Sequence, residues 1–108
     1  LADVPGIYVM RAPHPDYESN YWLTTILLDA PLRYSELSRR LAEEQIESRP
    51  LWKPMHLQPV FSEAPAYVNG VSEELFGRGL CLPSGPMVSE ADLERIVAII
   101  RDYALAQQ

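Results

Sequence analysis

The side chains able to bind or react crowd into one stretch, Glu47-Ser48-Arg49-Pro50-Leu51-Trp52-Lys53-Pro54-Met55-His56-Leu57-Gln58-Pro59. It carries the chain's single lysine, one of its two histidines, one of its two tryptophans and three of its 10 prolines. Prolines reduce the conformational freedom of the unfolded chain and so stiffen a loop. On a stiff loop, Trp52, Lys53, His56 and Gln58 form a candidate site for a polar ligand, with a cation for phosphate and an imidazole and amide for hydroxyls. The same residues admit an architectural reading. In it Leu51 and Trp52 belong to the core, Lys53 is solvated and His56 caps a backbone group. Arg49 then pairs with Glu47 or a helix carboxylate, a surface contact worth under ~1 kcal/mol.

Other reactive constellations are missing from the pattern. Gly77-Arg78-Gly79 precedes an apolar run, the reverse of the strand-loop-helix order that a phosphate-binding loop needs. Ser84-Gly85 follows a proline and lacks the first glycine of a nucleophile elbow. There is no HExxH, and one cysteine excludes an intrachain disulfide and a cysteine-rich zinc site. No metal site is expected. Cys81, between two leucines, reads as a small buried hydrophobe, His14 as an exposed loop residue, and Tyr21 and Trp22 as core.

These residues must be positioned by a chain of 108 residues, the size of one domain. Apolar residues make up 47% and charged residues 22%, which places it among globular proteins. Nine basic against 15 acidic residues give a net charge of -6, which disfavours broad attraction to nucleic acid or an anionic membrane. No apolar run approaches the ~20 residues of a membrane span, and no signal peptide opens the chain, so a reducing cytoplasmic setting is expected. The first residue is Leu1, and the chain is read as a piece of something longer.

Residues 1–19 are expected to be an irregular lead-in, with at most a short strand over Ile7 to Arg11, and residues 20–106 the compact domain. Asn20 to Asp29 is predicted as a strand buried on both faces. Tyr34 to Gln45 reads as a helix around Leu37 and Leu41. Ile46 to Lys53 reads as a short returning strand, and Ser72 as the cap of a short helix ended by Gly77 and Gly79. Leu80 to Leu82 is a brief strand. In the last element Ser89 and Asp92 approximate a capping box, and Leu93, Ile96, Val97, Ile100 and Ala104 define an amphipathic helix over about Glu90 to Leu105. The sum is a small α+β domain, one short sheet packed with helices.

The stretch from Arg49 to Pro59, the run Gly79-Leu80-Cys81-Leu82-Pro83-Ser84-Gly85 and the closing helix together resemble one family, the DegT/DnrJ/EryC1/StrS aminotransferases. The resemblance runs from about Asn20 to Tyr103 and implies the C-terminal small domain of a fold type I enzyme dependent on pyridoxal 5'-phosphate (PLP), with a short, mainly antiparallel sheet. It implies transfer of an amino group from glutamate to a nucleotide-linked keto-sugar, in amino-sugar biosynthesis for surface or protein glycans. It further implies a homodimer, and an own N-terminal large domain that holds the Schiff-base lysine and most of the cofactor. No catalytic residue is then expected in this fragment, which should be inactive alone. By position, His56 is the leading contact to sugar or cofactor, followed by Lys53 and Trp52, then Gln58, with Arg49 orienting an anionic group. Many relatives carry glycine where this chain has Gln45, so a left-handed helix cap there would be strained by ~1 kcal/mol. The alternative from another class is a small non-catalytic module that binds a nucleotide-sugar or glycan.

Overall fold

A computed structural model describes residues 1–107. Four strands form one antiparallel sheet in the order β1-β2-β4-β3: β1 (Ile7–Val9), β2 (Thr24–Leu28), β3 (Arg49–Pro50) and β4 (Gly79–Leu82). Three helices accompany it: α1 (Tyr34–Glu43), α2 (Val71–Arg78) and α3 (Glu90–Ala106). This is the α+β architecture expected.

Alternation sets the layers. Ile26, Leu28, Leu80 and Leu82 point to one face and pack with Ile7 from β1, Leu37 and Leu41 from α1, and Ile96, Ile100, Tyr103 and Ala104 from α3. Thr25 and Leu27 alternate with them and are only half-buried, so β2 is buried on one face rather than two. The expected strand over Asn20 to Asp29 is shorter for the same reason: Asn20 to Leu23 lies outside the ladder. The lead-in is irregular only in part. Ile7–Val9 pairs with Ile26–Leu28, and Val4 and Ile7 are buried in the core.

α1 ends in a Schellman turn. The Gln45 N–H donates to Ala42 O (3.0 Å) and the Ile46 N–H to Leu41 O (2.9 Å), while Ile46 and Leu41 meet in the core. That geometry requires Gln45 at φ +60°, the left-handed conformation disfavoured by a Cβ. At the other end, Arg33 caps α1 without a side-chain bond. The Tyr103 phenol anchors this end of the helix from α3, accepting from the Arg33 N–H (2.9 Å) and lying within donor reach of Arg33 O (3.2 Å) and Glu36 Oε2 (3.1 Å). Burial, with the Glu36 bond assisting, holds this phenol's pKa above the usual tyrosine range.

α2 begins two residues earlier than expected, with Gly70 rather than Ser72 at its N-cap at φ +85°, and runs through Gly77 to Arg78. Gly79 then opens β4, and a Cβ there would lie 2.2 Å from Leu51 Cδ1 and 2.7 Å from Leu75 O. The capping box of α3 is complete: Asp92 N–H donates to Ser89 Oγ (3.2 Å) and Ser89 N–H to Asp92 Oδ2 (2.9 Å). The Ser89 hydroxyl and N–H bonds hold the Asp92 carboxyl below its ordinary pKa. Among the described residues, no helix is long and apolar enough to cross a membrane.

Two outcomes follow. Gln45→Gly removes the left-handed strain but adds glycine's unfolded-state entropy, so its urea midpoint rises by the equivalent of about 0.5–1 kcal/mol with an unchanged slope. A carboxyl whose folded pKa is depressed contributes stability above its unfolded pKa and loses it as pH falls through the folded value. Asp92→Asn therefore melts below the parent chain at neutral pH, and thermal melts of the two converge in acid.

Candidate functional site

The sheet register decides what the face away from α1 and α3 presents. Thr25 pairs with Cys81 and Cys81 with Arg49, so these three side chains form one row on that face. Cys81 is buried, which pushes its thiol pKa up and keeps it an inert protonated side chain at neutral pH. Arg49 stands at the sheet edge, its guanidinium held by Glu47 at 2.6 and 2.8 Å.

Beyond β3 the chain leaves the sheet. Pro50 and Pro54 bound the segment that carries Trp52 and Lys53, and two short 3-10 turns follow, Met55–Leu57 and Pro59–Phe61. Gln58 braces this path: its amide donates to Lys53 O (3.0 Å) and touches Met55 Sδ (3.6 Å). His56 is tied to α2 by a 2.5 Å contact between Nε2 and Glu73 Oε1, with only 18% of its side chain exposed. The imidazole is thus oriented by a carboxylate through one nitrogen, leaving Nδ1 as the ring atom not engaged by Glu73.

Trp52 is 67% exposed rather than core, and so is Trp22 at 70%. Their rings lie 5.9 Å apart, tilted by 42°, over an open groove of about 520 Å³. Leu23 and Leu82 supply its apolar lining and Arg49 and Ser84 its polar edge. The Ser84 hydroxyl is itself fixed, accepting from the Thr24 N–H (2.7 Å) and donating to Leu82 O (2.8 Å). Tyr21, also expected in the core, is 80% exposed at φ +53°.

The five expected contact residues therefore do not share one site. Trp52 and Arg49 line the groove. His56 lines a separate hollow of about 300 Å³ with Met55, Phe61 and Tyr67. Gln58 serves the loop itself, and Lys53 is exposed outside both hollows. Neither Glu73 nor Trp22 is expected in a site from the sequence, where Trp22 reads as core. The polar pair Ser19-Asn20, whose side chains turn the backbone at Tyr21 and Trp22, was the available signal that Trp22 leaves the core.

A pyridoxal phosphate does not fit these residues. The chain's one lysine lines neither hollow. The helix N-termini do not favour an anion either: Glu36 lies in the first turn of α1, Glu73 and Glu74 in that of α2, and the Ser89–Asp92 box closes α3. Among the described residues, no three His, Cys, Asp or Glu side chains are placed to hold a metal ion.

Comparison with known proteins gives the chain its relatives. EpsN of Bacillus subtilis (strain 168), whose name describes a pyridoxal phosphate-dependent aminotransferase, is 46% identical over 107 residues, covering 93% of this chain and 26% of EpsN. GDP-perosamine synthase of Escherichia coli O157:H7 is 33% identical over 88 residues, covering 82% of this chain and 24% of that protein. The solved structure of DesI in the presence of its TDP-sugar product superimposes with a TM-score of 0.80 at 25% identity, over 96% of this chain and 27% of DesI. The chain thus spans about a quarter of the length of the curated relatives it matches. Residues 1–101 match the sequence model of the DegT/DnrJ/EryC1/StrS aminotransferases, and the chain belongs to that family.

Proposed function

We propose that this chain is the C-terminal domain of a longer PLP-dependent aminotransferase that moves an amino group from glutamate onto a nucleotide-linked keto-sugar. Family membership together with a sugar-nucleotide relative, GDP-perosamine synthase, carries the reading. The cofactor supplies the amino-transfer chemistry and is held outside this chain, in keeping with a Lys53 that lines neither hollow and first turns that carry acids.

On this reading the chain's residues build one wall of the active site. His56, aimed by Glu73, presents a fixed imidazole toward the bound sugar, and Gln58 holds the loop in shape for it. Tyr67, Val60 and Met55 are exposed on the same excursion and offer apolar surface to the enzyme's own larger N-terminal domain or to the second subunit of a homodimer.

The test is transamination by the full-length gene product, with nucleotide-linked keto-sugars as acceptors and glutamate as donor. Amino-sugar and 2-oxoglutarate should form together, while the 108-residue chain alone forms neither and gains no cofactor absorbance. His56→Ala in the full-length enzyme should lower kcat/KM by about tenfold or more. Turnover by the chain alone, or a full-length product that aminates no nucleotide-linked sugar, would overturn the reading.

A further inference from the structure

The Trp22–Trp52 groove is held open by local devices that a merely solvated loop does not need. Trp22 follows Tyr21, a non-glycine residue in the left-handed region at φ +53°. That conformation costs a side-chain-bearing residue energy and persists only where its surroundings impose it. Here Ser19 Oγ accepts from the Tyr21 N–H (3.1 Å) and Asn20 Oδ1 from the Trp22 N–H (3.1 Å). On the opposite wall, Pro50 and Pro54 stiffen the segment that carries Trp52. Two large aromatic rings, leaning on each other at a tilt, are thereby presented to solvent.

The groove's chemistry selects its occupant. Its walls are aromatic and its lining, Leu23 and Leu82, apolar, which suits a flat and weakly hydrated ring. Its edge offers both signs of hydrogen bond, donors from Arg49 and acceptors from Glu47 and Ser84. Arg49 is already neutralised by Glu47 at 2.6 Å, so the edge does not favour a phosphate. A planar heterocycle with donors and acceptors on its rim meets all of these conditions.

We propose that this groove binds the nucleobase of a nucleotide-linked sugar, stacked on Trp52, against which Trp22 leans, with its edge toward Arg49, Glu47 and Ser84. The inference rests on the nucleotide-sugar reading above and assigns the base its place.

The experiment is a titration of the chain with UMP, GMP and dTMP, following tryptophan fluorescence at the red edge of its absorption. At least one should quench saturably, and the corresponding nucleoside, which lacks the phosphate, should quench to the same extent. Ribose 5-phosphate should not quench. Trp52→Ala should weaken binding about tenfold and Trp52→Phe distinctly less, since stacking of one base on one aromatic ring is of that size. Circular dichroism of both variants confirms the fold, and Arg49→Ala gives a second reading away from the rings. In the full-length enzyme Trp52→Ala should raise KM for the nucleotide-linked sugar about tenfold with kcat retained. Absence of saturable quenching by all three nucleotides, an equal response to ribose 5-phosphate, or an unchanged KM in an active Trp52→Ala enzyme would overturn this inference. That last outcome leaves the transamination reading standing, whereas failure of transamination leaves the fluorescence result to decide this one.

Discussion

The antiparallel pairing of Thr24–Leu27 with Gly79–Leu82 is the constraint on which the rest depends. Because side chains alternate strictly along a strand, one register settles both faces of the sheet at once. Ile26, Leu28, Leu80 and Leu82 go to the helices and close the core, while Thr25, Cys81 and Arg49 go to the other side. A slip of β2 by one residue would turn Thr25 and Leu27 toward the helices and Ile26 and Leu28 away from them. The groove and the core are therefore two consequences of the same ladder.

The helices on the core side are joined by polar contacts as well as by packing. α1 has no side-chain cap at Arg33, and the buried phenol of Tyr103 on α3 fixes that residue in place. Arg95 reaches Glu44 O and Oε2 just past the other end of α1, and Arg101 pairs with Asp3 in the lead-in. α3 is thus bonded to both ends of α1 and to the segment before β1, and these contacts add to the β1–β2 pairing and the burial of Val4 and Ile7 that pack the lead-in against the domain.

Much of this was legible in the sequence. The apolar spacing and the Ser89–Asp92 pair locate α3 almost to the residue, Leu37 and Leu41 locate α1, and the resemblance locates the family. The strain at Gln45 is legible too, because the Schellman turn that ends α1 puts that residue in the left-handed region whatever its type. What escaped is non-local. β3 is only Arg49–Pro50, defined by its partner strand and by no pattern of its own. Tyr21, Trp22 and Trp52 are core residues by type, and their exposure follows from backbone turns made by Ser19 and Asn20 and from prolines. The His56–Glu73 contact joins residues 17 apart in different elements, where no periodicity connects them. The candidate loop was found as a unit, yet its residues diverge because the 3-10 turn at Met55–Leu57 sends His56 to one hollow and leaves Trp52 at another.

The position of α3 also governs how the domain comes into being. It is the last of these elements to leave the ribosome, and it supplies Ile96, Ile100, Tyr103 and Ala104, which close the core beside Leu37 and Leu41 of α1. Until it emerges, the sheet and α1 are an unroofed apolar surface, and Arg33 before α1 lacks the phenol that anchors it. Nascent chains stalled before Tyr103 would hold that surface open to chaperones or to one another.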